Sequence, residues 1–240
     1  MTLLQAPMCQ HCPFEMIPDR ILSKLMLIGR PRKVTRGEKL FRQGEIPTNI
    51  YLLDIGGVRI VHHDERKSVV LALHGAGELF PLDYVFHDGT FVGDAEILQD
   101  GVIHQFILSD FRMFIEQHGE LSILISSFLS KHLHRTYNRV RELSNDYVEQ
   151  RIAHCLMRLI TQFGMRVDEN EILITIPISR QDIADIVGSR IETVSRIMRA
   201  WERDGLISGK REELRIHAVD FIEAFTKGEM PIKQDNLSVT

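Results

Sequence analysis

Short apolar runs separated by glycines occupy the chain from about Val34 to Leu108. Three examples are the segments 50–53, 58–61 and 68–73, each rich in branched aliphatic side chains. Turn residues that recur between such runs are typical of an all-β barrel or sandwich. Gly56 and Gly57 lie between two of the runs, so the pattern predicts a tight hairpin there.

After Ser109 the pattern becomes helical. Between Asp110 and Tyr147 there is no proline, and Gly119 is the only glycine, so the segment predicts a long helical region. A stripe of mainly apolar positions, broken once by a threonine, alternates spacings of four and three residues, which is the a/d pattern of a coiled coil. These positions are Leu129, Leu133, Thr136, Val140, Leu143 and Tyr147.

The opposite face of this helix is basic, which favours pairing with a second copy of the chain. Its cations are Lys131, Arg135, Arg139 and Arg141. A helix that packs only against the core of its own chain would show a similar apolar stripe, so a purely intramolecular role for this helix stays open. We predict a dimer interface formed by Leu129, Leu133, Thr136, Val140 and Leu143.

The remainder of the chain mixes helices with short strands. A helix is predicted over 151–163, a strand over 171–176 that Pro177 ends, and then two helices and a hairpin-like tail. The last segment, 227–240, is polar, and we expect it to be frayed.

The two helices that follow Pro177 are joined at a glycine. Ser179 is a good N-cap, and Asp182 can serve the first turn of the helix that Ser179 begins. Gly188 suits the end of that helix because glycine tolerates positive φ. A second helix begins near Ile191, with Val194, Ile197, Met198 and Trp201 on its buried side. This arrangement predicts a helix-turn-helix.

Composition adds one local feature to this picture. The chain has 240 residues, is 44% hydrophobic and 26% charged, and carries a formal net charge of −4. Net charge therefore gives no general sign of nucleic-acid binding. Residues 190–211, however, contain six cations and three acids, whereas 147–226 contains 11 cations and 13 acids. Positive charge is thus concentrated on the second helix and the hairpin after it.

The exposed face of the second helix carries groups that can read and hold DNA. Arg196 can donate two hydrogen bonds to guanine, Glu192 can accept from cytosine, and Ser195 completes the base-reading set. We expect phosphate contacts from Ser179, Arg180, Ser189, Arg190, Thr193, Arg199, Lys210 and Arg211. An ordinary solvated helix face is the alternative, and salt-dependent duplex binding distinguishes the two.

These motifs resemble the CRP/FNR family, the cyclic-AMP receptor and fumarate–nitrate regulator proteins. The stretch from Ile178 to Ile207 looks like the family's winged helix-turn-helix, and the glycine-punctuated half looks like its β-roll. Gly37-Glu-Lys-Leu-Phe, Gly44-Glu, Ile50-Tyr-Leu-Leu, Gly57-Val and Gly77-Glu-Leu-Phe follow the family's order. The resemblance covers about residues 20–225.

The resemblance implies an α+β protein with a sensor and a DNA-binding domain. We predict an N-terminal tail at 1–19, a cupin-like β-roll at 20–109, a dimerisation helix at 110–146 and a winged helix-turn-helix at 147–226. The family implies a homodimer on a two-fold symmetric double-stranded site, with recognition helices about 34 Å apart. It also implies RNA polymerase as a partner and favours an activator.

The recognition helix resembles that of the FNR type. Glu192-Thr-Val-Ser195-Arg196 matches the Glu-x-x-Ser-Arg reader associated with TTGAT half-sites. The cyclic-AMP-receptor type carries Arg-Glu-x-x-Gly-Arg, whereas this chain has Ile191 at the first Arg position and Ser195 at the Gly position. We therefore predict a TTGAT-like palindrome.

The cyclic-nucleotide anchors of the family are missing from the β-roll. Without a gap from Gly77-Glu78, the family's Gly-Glu falls on Pro81-Leu82 and its Arg-Ser on Val92-Gly93. A phosphate there is expected to meet Val92 and Asp94 without an Arg, which argues against cyclic AMP or cyclic GMP. The predicted effector pocket is apolar and consists of Leu79, Pro81, Leu82, Val92 and Gly93.

Redox groups are the alternative sensors. Cys9 and Cys12 could form a thiol switch or share a metal with His11, but FNR-type clusters use four thiolates. Cys155, the only other cysteine, is predicted to be buried in a helix, which argues against an iron–sulfur cluster. The apolar pocket would also suit haem, with His87 and His104 as the axial candidates.

Other classes find less support in the residues. The chain has no phosphate-binding glycine loop, no Ser/His/Asp signature and no metalloprotease motif, so no enzyme is predicted. A ligand-binding module with a weak DNA-binding domain is a rival, since Asp182, Asp185 and Asp204 would weaken phosphate affinity. Apolar runs are too short for a membrane span, and three cysteines fit a reducing compartment, so we expect a cytoplasmic protein.

Overall fold

The computed structural model describes residues 17–65, 67–168, 171–210 and 212–229. Cys9, His11, Cys12, Arg211 and most of the predicted C-terminal tail lie outside these ranges. The chain divides into two compact units, Met1–Arg141 and Glu142–Thr240, which are described separately below. Within the described ranges, no helix is both long and apolar enough to cross a membrane.

Among its described residues, the first unit contains eight strands in two antiparallel sheets, three α-helices and a short 3-10 helix at Leu82–Val85. The strands are β1 (Arg30–Val34), β2 (Lys39–Phe41), β3 (Asn49–Ile55), β4 (Gly57–Asp64), β5 (Lys67–Gly75), β6 (Leu79–Phe80), β7 (Asp94–Ile97) and β8 (Gly101–Ile107). The helices are α1 (Asp19–Ile28), α2 (Leu108–Gln117) and α3 (Gly119–Asn145). One sheet has the order β1-β8-β3-β6 and the other β2-β7-β4-β5. The predicted β-roll in an α+β chain is confirmed.

The hairpin predicted at Gly56 and Gly57 is wrong. Strands β3 and β4 belong to different sheets, so the chain crosses from one sheet to the other at this point. Gly56 has a φ of 116°, which favours glycine, and a Cβ on the neighbouring Gly101 would meet the Ile55 carbonyl oxygen at 2.0 Å. These glycines therefore serve a crossover between two packed sheets.

The middle of strand β3, residues 50–53, is apolar because both of its faces are covered there. Ile50 and Leu52 belong to a core shared with the helices, which includes Leu25, Phe111 and Leu121. Tyr51 and Leu53 face the other way, into the core between the two sheets. A strand buried on both faces appears in the sequence as an unbroken apolar run, as 50–53 does.

The helical region after β8 is two helices rather than one. His118, with φ −130° and ψ 72°, interrupts the run, and α3 begins at Gly119. Tyr147, the last residue of the predicted stripe, falls beyond α3 and is the N-cap of the next helix. Leu129 packs against the helix-side core, whereas Leu133 and Val140 are 50% and 57% exposed.

The second unit is built around a four-stranded sheet and the predicted pair of short helices. Its elements are α4 (Val148–Phe163), β9 (Gly164–Asp168), β10 (Glu171–Ile174), α5 (Arg180–Val187), α6 (Ile191–Arg203), β11 (Ile207–Ser208), β12 (Leu214–Ile216) and α7 (Val219–Thr226). The strand order is β11-β12-β10-β9. Strand β9 and helix α7 were not predicted. All five residues of β9 are exposed, so burial imposes no apolar pattern on its sequence.

The last turn of α3 belongs to this second unit. Glu142 is buried, and Arg158 on α4 donates to its carboxylate at 2.7 Å. Just after the end of α3, Asp146 lies 3.3 Å from the ring of His154. Leu143 comes within 3.2 Å of where a Cβ would stand on Gly188. The division after Arg141 therefore precedes the boundary expected between residues 146 and 147.

Candidate nucleic-acid interface and ligand cavity

Helix α5 is defined at both ends by its own sequence. The Ser179 hydroxyl accepts from the backbone N–H of Asp182 at 3.1 Å, and the Asp182 carboxylate accepts from the N–H of Ser179 at 2.8 Å. This reciprocal capping box satisfies N–H groups that the first turn leaves without partners. At the other end Gly188 adopts φ 64° and its N–H reaches the Ala184 carbonyl oxygen. The turn that follows is short enough for α6 to begin at Ile191.

Helix α6 buries one face and exposes the other. Val194, Met198 and Trp201 are buried, and Trp201 Nε1 donates to Glu149 Oε1 at 3.1 Å. The opposite face exposes Glu192, Arg196, Arg199 and Arg203, with Arg190 at the N-cap. None of these five side chains has a hydrogen bond or ion pair to another residue in the ranges that the structure describes. Their charges are therefore free to meet a ligand.

Two of the predicted phosphate contacts are already engaged within the protein. Ser179 is occupied by the capping box. The Arg180 guanidinium donates to both carboxylate oxygens of Glu202 at 2.6 and 2.7 Å, which links α5 to α6. This ion pair neutralises one of the three acids between residues 190 and 211, so the face of α6 is more positive than the residue count indicates.

The hairpin of β11 and β12 forms the expected wing. Gly209 is required at its base because a Cβ there would meet the Glu213 carbonyl oxygen at 2.0 Å. Lys210 is exposed at the tip, and the neighbouring Arg211 lies outside the described residues. Hydrogen bonds from Arg215 to Glu213 and Glu171 raise the pKa of Arg215 and tie β12 to β10.

The first unit contains a cavity of about 230 Å³ between the strands and α3. All five residues of the predicted effector pocket line it: Leu79, Pro81, Leu82, Val92 and Gly93. Phe41 and Phe91 stack beside them with ring centroids 3.7 Å apart. The buried part of the wall is thus apolar, and it includes aromatic side chains that were not among the predicted pocket residues.

The polar part of the cavity wall was missed by the sequence analysis. Lys131, His132 and Arg135 line it from α3, and His74, Glu78 and Asp83 line it from the β-roll. His74 Nδ1 lies 2.9 Å from Glu78 Oε2. No motif of the β-roll indicates Lys131 and Arg135, because both cations lie on the basic face of α3, which follows the β-roll in the chain.

Burial shifts the pKa of two of these groups. Desolvation, with His74 and Arg135 adding repulsion, lowers the pKa of His132. Desolvation of its carboxyl group raises the pKa of Asp83, although the residue as a whole is exposed to solvent. Lys131 and Arg135 are the lysine and arginine of the wall, and neither forms an ion pair among the described residues.

Asp94 does not face the cavity, contrary to expectation. Lys39 Nζ donates to one of its oxygens at 2.6 Å, and the N–H of Gln43 donates to the other at 2.7 Å. Burial alone would raise the pKa of Asp94, but these two donors outweigh it and lower the pKa. Asp94 is a structural carboxylate that joins β7 to the segment after β2.

The residues predicted as haem ligands do not line the cavity either. His104 Nδ1 lies 2.9 Å from Asp54 Oδ2 in a half-buried pair, and desolvation raises the pKa of Asp54 against the influence of His104. His87 is exposed beside Tyr84. Sites for drug-sized ligands occupy roughly 300–1,000 Å³, and a porphyrin is at the large end of that class. The cavity therefore does not fit haem, and the described ranges hold no cluster of three metal-ligating side chains.

Comparison with known proteins matches each of the two units to a known domain type. Residues 31–118 match the cyclic nucleotide-binding domain, and residues 150–225 match the Crp-like helix-turn-helix domain. The transcriptional activator protein anr of Pseudomonas aeruginosa is 25% identical over 219 residues, covering 91% of this chain and 87% of the relative. The cAMP-activated global transcriptional regulator CRP of Haemophilus influenzae is 29% identical over 194 residues, covering 79% and 83%.

Solved structures show the same fold. A c-di-GMP-responsive global regulator of Xanthomonas campestris superimposes with a TM-score of 0.72 at 18% identity, covering 83% of this chain and 99% of that one. FixK2 of Bradyrhizobium japonicum gives a TM-score of 0.71 at 17% identity, covering 82% and 97%. With both domain types present in the family's order, the chain belongs to the CRP/FNR family of DNA-binding transcriptional regulators, in which a sensor domain precedes a helix-turn-helix.

Proposed function

We propose that the protein is a homodimeric regulator that reads a TTGAT-like palindrome under the control of a signal other than a cyclic nucleotide. The observation that carries the proposal is the exposed face of α6, where Glu192 and Arg196 have no partner among the described residues. An exposed acid beside exposed arginines, none of them engaged within the described part of the protein, suits the mixed donors and acceptors of a major groove.

The spacing of the three predicted base readers supports a common target. Glu192, Ser195 and Arg196 are three and four residues apart, so they share one face of the helix. Arg196 would donate to O6 and N7 of guanine, and Glu192 would accept from N4 of cytosine. Arg190, Arg199 and Lys210 flank them and would hold phosphates.

The proposed dimer interface is the exposed stripe of α3. Leu133, Val140 and Leu143 are 50%, 57% and 44% exposed in the single chain. Regulators of this family usually bind DNA as dimers, and a second copy of α3 would cover these apolar side chains. Two recognition helices would then meet half-sites about 34 Å apart.

The proposed signal acts through the β-roll. The cavity joins the predicted pocket residues to Leu129 of α3, so a ligand would contact the dimerisation helix directly. A bias of a few kcal/mol between two arrangements of α3 is enough to switch DNA binding. Contact with RNA polymerase, and activation as the outcome, are part of the same proposal.

Duplex binding at physiological salt tests the proposal. The wild-type protein should prefer a TTGAT palindrome over a scrambled duplex. Arg196→Ala should lose about 1–3 kcal/mol and its preference at the G position. Arg199→Ala is the matched control, since losing a phosphate contact should weaken both duplexes alike and reduce the salt slope by about one. Equal binding of the two duplexes by the wild type would overturn the proposal.

A further inference from the structure

We propose that the β-roll cavity binds a small organic monoanion, a single aromatic ring with a short carboxylate-bearing arm, anchored by Lys131 and Arg135. The inference rests on the proposed function, since it names the class of ligand that would bind the β-roll cavity and act as the signal. It assigns the anion anchor to α3 rather than to the β-roll segment at Val92 and Gly93.

The size of the cavity limits the ligand. An apolar cavity of about 150 Å³ accommodates benzene, whereas drug-sized ligands need roughly 300–1,000 Å³. The volume of about 230 Å³ lies between them, so it accepts one ring with a short arm. A nucleotide, which combines a purine, a sugar and a phosphate, exceeds that volume.

Burial divides the cavity into an apolar end and a charged end. Phe41, Leu82 and Phe91 are at most 8% exposed and form a dry wall. Lys131, His132 and Arg135 also line the cavity but are exposed, so they stand at its solvent side. A ligand that matches this division has an apolar ring at one end and a charge at the other.

The sign of the charge follows from the partners that the polar residues already have. Glu78 is paired with His74, and Asp83 forms no ion pair with Lys131 or Arg135 in the described residues. Within the described part of the chain, Lys131 contacts only the Phe128 ring through its charge, at 5.9 Å, and neither Lys131 nor Arg135 forms an ion pair. Lys131 and Arg135 therefore line the cavity without an ion-paired carboxylate, and a ligand carboxylate would supply one.

The ligand would also bear on α3 itself. Leu129, Lys131 and Arg135 are on one helix, and Arg139 on the same helix donates to the Leu71 and Val70 carbonyl oxygens at the edge of β5. An anion drawn to Lys131 and Arg135 would fix the helix against the β-roll where this edge contact already holds it.

Titration calorimetry on the full chain tests the inference with benzoate and 3-phenylpropionate as probes, benzamide as the neutral isostere and cyclic AMP as the nucleotide. We expect at least one acid to bind and benzamide to bind at least tenfold more weakly. Arg135→Gln and Lys131→Gln should each weaken the acid about tenfold. Arg141→Gln removes an exposed cation of α3 that does not line the cavity, so it should leave acid binding unchanged.

The outcomes separate the inference from the proposed function. If neither acid binds, or if all three variants behave like the wild type, the ligand class is wrong. Duplex binding measured on the same samples then shows whether the proposed reader stands. If cyclic AMP binds more tightly than the acids and Arg135→Gln weakens it, the inference fails together with the non-cyclic-nucleotide signal. Unchanged far-ultraviolet circular dichroism of the variants excludes misfolding as the cause of lost binding.

Discussion

At some positions the residue type is explained by a neighbouring group that pairs with its charge, or by the backbone conformation that the position requires. Asp94 is 6% exposed and survives burial because Lys39 and the Gln43 N–H complete its hydrogen bonding. Gly188 holds a left-handed conformation that ends α5. In both cases a local requirement, rather than a contact with a ligand, determines the residue.

Replacing Lys39 by Met should destabilise the first unit in a pH-dependent way. The change leaves a buried carboxylate without its cation, at a cost of about 2 kcal/mol at pH 7. The pKa of Asp94 is lowered from 3.8, so the stabilisation from this pair is present above that value and is lost as pH falls below it. Urea unfolding should therefore show a difference between wild type and variant that narrows on acidification. Lys33→Met, at an exposed lysine of β1, should change little at either pH.

Replacing Gly188 by Ala should cost stability for two reasons. A left-handed conformation costs a non-glycine residue roughly 1–2 kcal/mol, and the added Cβ would stand 3.2 Å from Leu143 Cδ2. Gly205→Ala is the matched control, because Gly205 also has a positive φ, 73°, with nothing within 4 Å of the added Cβ. Thermal unfolding should give the larger loss for Gly188→Ala. An equal or smaller loss of stability for Gly188→Ala would show that the Leu143 side chain moves away from the added Cβ at no cost in stability.

At the scale of elements, the sequence predicted the helix-turn-helix well and the β-roll only in outline. Capping by Ser179 and Asp182, the positive φ of Gly188 and the buried face of α6 are all local features, visible within a few residues. The role of Gly56 is not local, since the turn residues are the same whether β4 pairs with β3 or joins another sheet. The cations of the cavity come from α3, so no β-roll motif announces them.

Glu202 on α6 holds Arg180 on α5 in an ion pair, so breaking this pair should change DNA binding. Glu202→Gln should release Arg180, which then becomes available to a phosphate as first expected from the sequence. Duplex affinity should rise, and the slope of log affinity against log salt should steepen by about one. Asp220→Asn removes the same charge from the exposed start of α7 and should leave the slope unchanged. A shallower slope for Glu202→Gln would show that the pair itself orients α6 for binding.

At the scale of the whole molecule, helix α3 contributes to both units and carries the proposed self-association. Residues up to Arg141 belong to the first unit, and the last turn belongs to the second. The exposed stripe between the cavity residue Leu129 and the last turn is what a second copy would cover. One helix is therefore proposed to serve ligand contact, dimerisation and attachment of the DNA-binding unit.

Leu133→Asp should weaken the dimer at least tenfold, since a carboxylate in an apolar interface loses its hydration without a partner. Sedimentation velocity across a concentration series measures this. Ile123→Asp is the matched control, because Ile123 is 72% exposed on the same helix but lies off the stripe. A dimer that survives Leu133→Asp would place the interface elsewhere.

The last turn of α3 also determines where the DNA-binding unit can be cut from the chain. A fragment that starts at Tyr147, where the helix pattern alone would place the boundary, discards Glu142 and Leu143. Arg158 then loses its carboxylate partner and Gly188 loses the side chain that packs beside it. An autonomous fragment must begin at or before Glu142, so limited proteolysis that releases a stable DNA-binding piece should cleave on the N-terminal side of that residue.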